Sequence, residues 1–153
     1  MIRTPKIFSS VDFHDLARRM VESRNLLGGV QMKYLLLIYQ NEQSWSGLTD
    51  QERRDIYAEY GKFSEEIKGS GHYVTGSELH PAATATSVRV RDGKALTTDG
   101  PFAETKEQLG GYYLVEAKNL DEAIGLAARI PSARMGTIEV RPLAEGSASA
   151  SAK

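Results

Sequence analysis

Lys33-Tyr34-Leu35-Leu36-Leu37-Ile38-Tyr39 is the stretch on which the fold turns. Strand side chains alternate between two faces. Here both sets, Tyr34/Leu36/Ile38 and Leu35/Leu37/Tyr39, are apolar. Such a strand belongs in the middle of a sheet, with cover on both sides. Downstream, Thr49-x-x-Glu52 forms a capping box. Ile56, Tyr60, Phe63 and Ile67 then make one apolar stripe on a helix over residues 50–68, ended by Gly69 and Gly71. Residues 73–79, 86–90, 95–98 and 112–116 have strand character, with Asp92-Gly93 as a hairpin turn. Asn119-x-x-Glu122 resembles a second capping box. It opens a helix carrying Ala123, Ile124, Ala127 and Ile130, which Pro131 stops before a last strand at 137–141.

The order strand, helix, strands, strand, helix, strand predicts an α+β domain. Two helices would pack on one face of a mainly antiparallel sheet, a ferredoxin-like sandwich. The second face then lacks helices, yet Leu35, Leu37 and Tyr39 point to it. The economical cover is a second copy packed sheet to sheet, so a twofold homodimer is expected.

The flanks differ from this domain. Residues 1–31 carry Arg18, Arg19 and Arg24, with Phe13, Leu16, Ala17, Met20 and Leu27 at helical spacing. They read as a helical extension docked on its own domain or a second subunit, and Met32 offers an alternative start. No secretory h-region is evident. The domain proper is expected over 32–143, with 144–153, rich in Ser and Ala, as a frayed tail.

At 153 residues the chain is one domain in size, and 41% apolar with 25% charged residues is ordinary for a globular protein. Nineteen basic and 20 acidic residues are interspersed for a net charge of −1, which gives no reason to expect nucleic acid or an anionic membrane as partner. There is no cysteine, which removes disulfides, thiolate nucleophiles and cysteine-bound metals. No apolar run reaches the roughly 18 residues of a bilayer span. A cytoplasmic protein without metal or cofactor is the expectation.

Chemistry concentrates between two strands. Asp99-Gly100-Pro101-Phe102 opens a connection of about a dozen residues where a tight turn would suffice. Asp99 can accept backbone N–H groups in an Asx-turn, or act as a general base or substrate acceptor if partly buried. Pro101 fixes φ and so aims Phe102 into the core or over a pocket. Glu104, Lys106 and Glu107 form a solvated charged turn, a clamp for an anionic ligand or a dimer salt bridge, with Thr105-x-x-Gln108 as a possible one-turn capping box closed by Gly110. Gly110-Gly111 permits close backbone approach. In the last strand Ile138 and Val140 belong under the helices. Glu139 and Arg141 then face the open side and must pair there with each other, with the loop or with a ligand.

Met32-Lys33-Tyr34, Asp99-Gly100-Pro101-Phe102, Glu104-x-Lys106-Glu107, Gly110-Gly111-Tyr112 and Ile138-Glu139-Val140-Arg141-Pro142 follow one another over residues 32–143. This ordered set resembles the DGPF-domain branch of the YCII-related family. The resemblance implies a ferredoxin-like dimer of the dimeric α/β-barrel type, a bacterial source and relatives mostly without known function. Some family genes neighbour sigma factors of the extracytoplasmic-function type. One YCII-related member is a dehydrochlorinase of a chlorinated aromatic, and a His–Asp pair is proposed as an active site in the wider family. That histidine lies near the first helix, whereas residues 50–68 contain none. The pair is therefore not carried over. His72 and His80 read as solvent-facing loop residues and His14 as a surface residue.

Two function classes follow. One is a dimeric small-molecule binder or metal-free, lyase-like acid–base enzyme, its pocket built from the loop, the open sheet face and Tyr39 or Tyr113. Asp99 is its catalytic candidate, with Phe102, Glu104, Lys106, Glu107, Glu139 and Arg141 as substrate contacts. The alternative, suggested by genomic company alone, is a non-catalytic dimeric module in sigma-factor-linked regulation.

Overall fold

The computed structural model describes residues 31–144. The expected N-terminal helix and the tail beyond 144 lie outside the described residues. Within them the chain is a mixed α+β structure with antiparallel sheets and three α-helices. We label the strands β1 (Met32–Gln40), β2 (Tyr73–Glu78), β3 (Thr86–Arg91), β4 (Lys94–Asp99), β5 (Gln108–Ala117) and β6 (Thr137–Pro142). The helices are α1 (Glu42–Ser46), α2 (Asp50–Gly69) and α3 (Leu120–Ala128), with 3₁₀ turns at Ala82–Thr84 and Pro131–Arg134.

A four-stranded sheet runs in the order β2-β5-β1-β6, every neighbouring pair antiparallel. β1 is central, as its doubly apolar sequence requires. Met32, Tyr34, Leu36 and Ile38 of β1 and Tyr113, Val115 and Ala117 of β5 are buried with Phe63 and Ile67 of α2 and Ala123, Leu126 and Ala127 of α3. Ile138 and Val140 pack against this cluster. Glu139 and Arg141 instead pair across from Leu37 and Leu35, on the open face expected for them. That face also carries half-buried Tyr39, Tyr112 and Leu114.

α2 starts with the full reciprocal capping box: Glu52 N–H donates to Thr49 Oγ1 at 3.2 Å and Thr49 N–H to Glu52 at 2.7 Å. At α3 the box is half formed. Asn119 accepts from Glu122 N–H at 2.9 Å, but the Glu122 carboxylate takes the Lys118 N–H instead. Leu126, not Ile124, completes the buried side of α3, and Ile124 is 48% exposed, because the helix turns Ala123 and Ala127 squarely onto the sheet. α1 was not anticipated. It rests on Asn41, whose side chain accepts from the Gln43 and Ser44 amides.

β3 and β4 form a separate two-stranded ribbon, reversed at Asp92 (φ 51°) and Gly93 (φ 73°). Positive φ at both positions is what a type I′ hairpin demands. The ribbon leaves Val88, Val90 and Leu96 exposed. β5 begins at Gln108 rather than Tyr112, so the connection after β4 is shorter than the sequence suggested. No helical turn forms there. The Thr105 hydroxyl donates to the Glu107 carbonyl, and Gln108 Nε2 donates to the Thr105 carbonyl at 2.6 Å, which leads the chain straight into the strand.

Candidate functional site

A cleft lies between α2 and the β2–β5 side of the sheet, and encloses about 230 Å³. α2 presents Tyr57, Tyr60, Ser64 and Lys68 to it, residues at three- and four-residue spacing that share one helix face. Its floor is β5 and β2, where Gly76 and Gly111 bring the strands together. A Cβ on Gly76 would stand 2.8 Å from the Tyr113 ring, and one on Gly111 2.9 Å from the Ser77 carbonyl. Trp45 of α1 closes one end by meeting Tyr57 edge to face, ring centres 5.6 Å apart.

Hydrogen bonds fix the walls. Tyr60 OH donates to Ser132 Oγ at 2.7 Å, and Ser132 Oγ donates to Gln40 Oε1 at 2.9 Å. Ser132 is fully buried, so this relay satisfies a group that would otherwise be costly. Ser64 and Tyr113 share a hydrogen bond at 2.8 Å, and Tyr57 OH donates to Glu78 at 2.9 Å. Burial raises the phenol pKa of Tyr57, Tyr60 and Tyr113, with the Glu78 carboxylate adding to the effect at Tyr57. All three remain neutral hydrogen-bonding groups at physiological pH.

A second, more open groove of about 410 Å³ follows the loop between β4 and β5. Pro101, Ala103, Glu104, Thr105 and Lys106 form one wall, with Asn41–Gln43 opposite. Glu42 anchors it: its carboxylate accepts the Ala82 N–H at 2.7 Å, and its own N–H donates to Gln108 Oε1 at 3.1 Å.

The structure therefore distributes the residues singled out in the sequence instead of joining them. Glu104 and Lys106 line the loop groove, Tyr113 lines the cleft, and Tyr39, Glu139 and Arg141 sit on the open sheet face. Arg141 Nε donates to Glu139 at 3.0 Å, so these two charges pair with each other, and that bond raises the Arg141 pKa. Phe102 reaches neither core nor pocket and is 81% exposed, because Pro101 directs it outward from the loop. Asp99 is exposed, lines neither cavity, and its carboxylate makes no hydrogen bond among the described residues. The loop entrance is held instead by Gly100 N–H to the Ala85 carbonyl and Ser87 Oγ to the Gly100 carbonyl. Glu107 lies outside both cavities; its carbonyl takes the Thr105 hydroxyl.

His72 differs from its expectation. It is half-buried, with Nδ1 2.7 Å from Ser70 Oγ and Nε2 3.3 Å from Glu122. It tethers the end of α2 to the start of α3. Among the described residues no group of three or more His, Cys, Asp or Glu could hold a metal ion, and no helix is long and apolar enough to cross a membrane.

Fold and cleft together define a small α+β domain with one helix-covered sheet face and a cavity beneath α2. The chain belongs to the YCII-related domain family, whose model matches residues 32–146. It is also 39% identical over 115 residues to an uncharacterized protein of Rhizobium meliloti (strain 1021), an alignment covering 74% of this chain and 93% of the relative.

Proposed function

We propose that this chain is a small-molecule-binding protein of the DGPF branch, a ferredoxin-like sandwich that works as a homodimer, with its ligand held in the cleft beneath α2. The observation that carries the reading is the cleft itself, a cavity with an aromatic wall and satisfied polar anchors. The strand order β2-β5-β1-β6, with α2 following β1 and α3 following β5, supports the ferredoxin-like assignment. The apolar open face of Leu35, Leu37 and Leu114 supports sheet-to-sheet pairing.

Lys106 has no ion-pair partner among the described residues and stands in the loop groove, which favours a second, weaker role there for an anionic group. No acid–base step is assigned to Asp99. The test is a ligand-bound structure after soaking with metabolite mixtures, alongside Ser64→Leu, which fills the cleft, and Lys106→Ala, which empties the groove of its cation. Density in the cleft that Ser64→Leu abolishes and Lys106→Ala leaves intact is the expected result. Ligands found only in the loop groove would overturn the cleft as the principal site.

A further inference from the structure

The cleft's dimensions and the character of its wall narrow the class of ligand, an inference that rests on the reading of the cleft as a binding site. A cavity of about 150 Å³ accommodates benzene. This one, at about 230 Å³, has room for one ring with a small substituent. Trp45, Tyr57, Tyr60 and Tyr113 supply flat π surfaces, and the Trp45–Tyr57 pair meets at 87°, which braces both rings in fixed orientations.

Apart from Lys68 and Glu78, the polar side chains of the lining are neutral, among them the hydroxyls of Tyr57, Tyr60, Tyr113, Ser64, Ser77 and Ser132 and the Gln40 amide. The two charged side chains of the lining, Lys68 and Glu78, belong to exposed residues at the rim and are already engaged, Lys68 with Glu65 at 3.2 Å and Glu78 with the Tyr57 hydroxyl. An ionised ligand would lose its hydration inside, and the two opposite charges it could meet are already engaged at exposed positions. The Gln40 side chain adds direction. Its Oε1 is spent on Ser132, while Nε2 has no acceptor among the described residues and so offers a donor to an incoming oxygen.

We propose that the cleft selects an uncharged, planar, single-ring molecule bearing a carbonyl or hydroxyl oxygen, which stacks among the tyrosines and accepts a hydrogen bond from Gln40 Nε2. Benzamide, benzoate, benzylammonium and cyclohexanecarboxamide separate the terms, since they hold size nearly constant while charge or planarity changes. Trp45, the chain's one tryptophan, reports occupancy by its emission, and calorimetry gives the affinity.

Saturable benzamide binding at least tenfold tighter than the other three, weakened tenfold or more in Gln40→Met, is the expected result. Equal or tighter binding of benzoate or benzylammonium overturns the uncharged class and leaves the cleft as a site. Equal binding of cyclohexanecarboxamide overturns planarity. No binding by any probe to the folded protein overturns the proposal, and hits from the metabolite soak then decide whether the cleft reading survives. Should Gln40→Met fail to fold, Ser64→Leu takes its place, and benzamide affinity unchanged in that variant is equally fatal.

Discussion

A methyl group at Gly76 would meet the Tyr112 carbonyl at 2.9 Å as well as the Tyr113 ring. A ring can swing away; a backbone carbonyl in a paired strand cannot. Gly76→Ala is therefore expected to destabilise the domain by about 1–3 kcal/mol, as overpacking does, read as a lower urea midpoint with an unchanged slope. Its displaced Tyr113 ring should also reduce cleft binding. Glu122 gives a second residue-scale expectation. The Lys118 amide holds its carboxyl below the usual 4.5, with help from His72 and against the opposing effect of burial. A carboxylate whose folded pKa is depressed contributes stability that is complete above its unfolded value and disappears as pH falls through the folded one. The protein should lose stability below about pH 4.5, and Glu122→Gln should flatten that acid limb. An unchanged pH profile of the urea midpoint in the variant would show that the bond carries no linkage.

At the scale of elements, the parts legible in the sequence are those that local chemistry decides. The Thr49 box, the α2 stripe, the Asp92-Gly93 turn and the alternation in β6 all formed as their patterns required. Thr49→Ala should cost about 1 kcal/mol, measured by denaturant unfolding with helix content retained. The loop after β4 misled because its charged and aromatic residues are adjacent in sequence. Adjacency there produced a surface turn, with Phe102 in solvent. The cleft, by contrast, joins Gln40, Tyr57, Ser64, Gly76, Tyr113 and Ser132, which only the antiparallel return of β2 and β5 brings together. Tyr60 fits an apolar helical stripe equally well as a core residue, and nothing local marks Ser132. The one available signal was the crowding of tyrosines at 57, 60, 73, 112 and 113.

For the molecule as a whole, the proposed dimer puts the open face to use. Leu37 pairs with Tyr112 on one side and Glu139 on the other, near the middle of that face. Leu37→Lys should leave the helix-covered core intact and convert a sedimenting dimer to a monomer at micromolar concentration. A wild-type monomer under the same conditions would remove the sheet-to-sheet assembly altogether.

β2 and β5 are partners in the sheet, and Leu79 N–H already bonds the Gly110 carbonyl at 2.9 Å. A short reverse turn could join them. Everything from His80 to Glu107 beyond that junction, ribbon and loop included, is thus an appendage spliced into what could have been a plain hairpin. Its sequence is free to lengthen, shorten or diverge without disturbing the register of any strand in the main sheet. The domain has in effect one region answerable to folding and another open to specialisation.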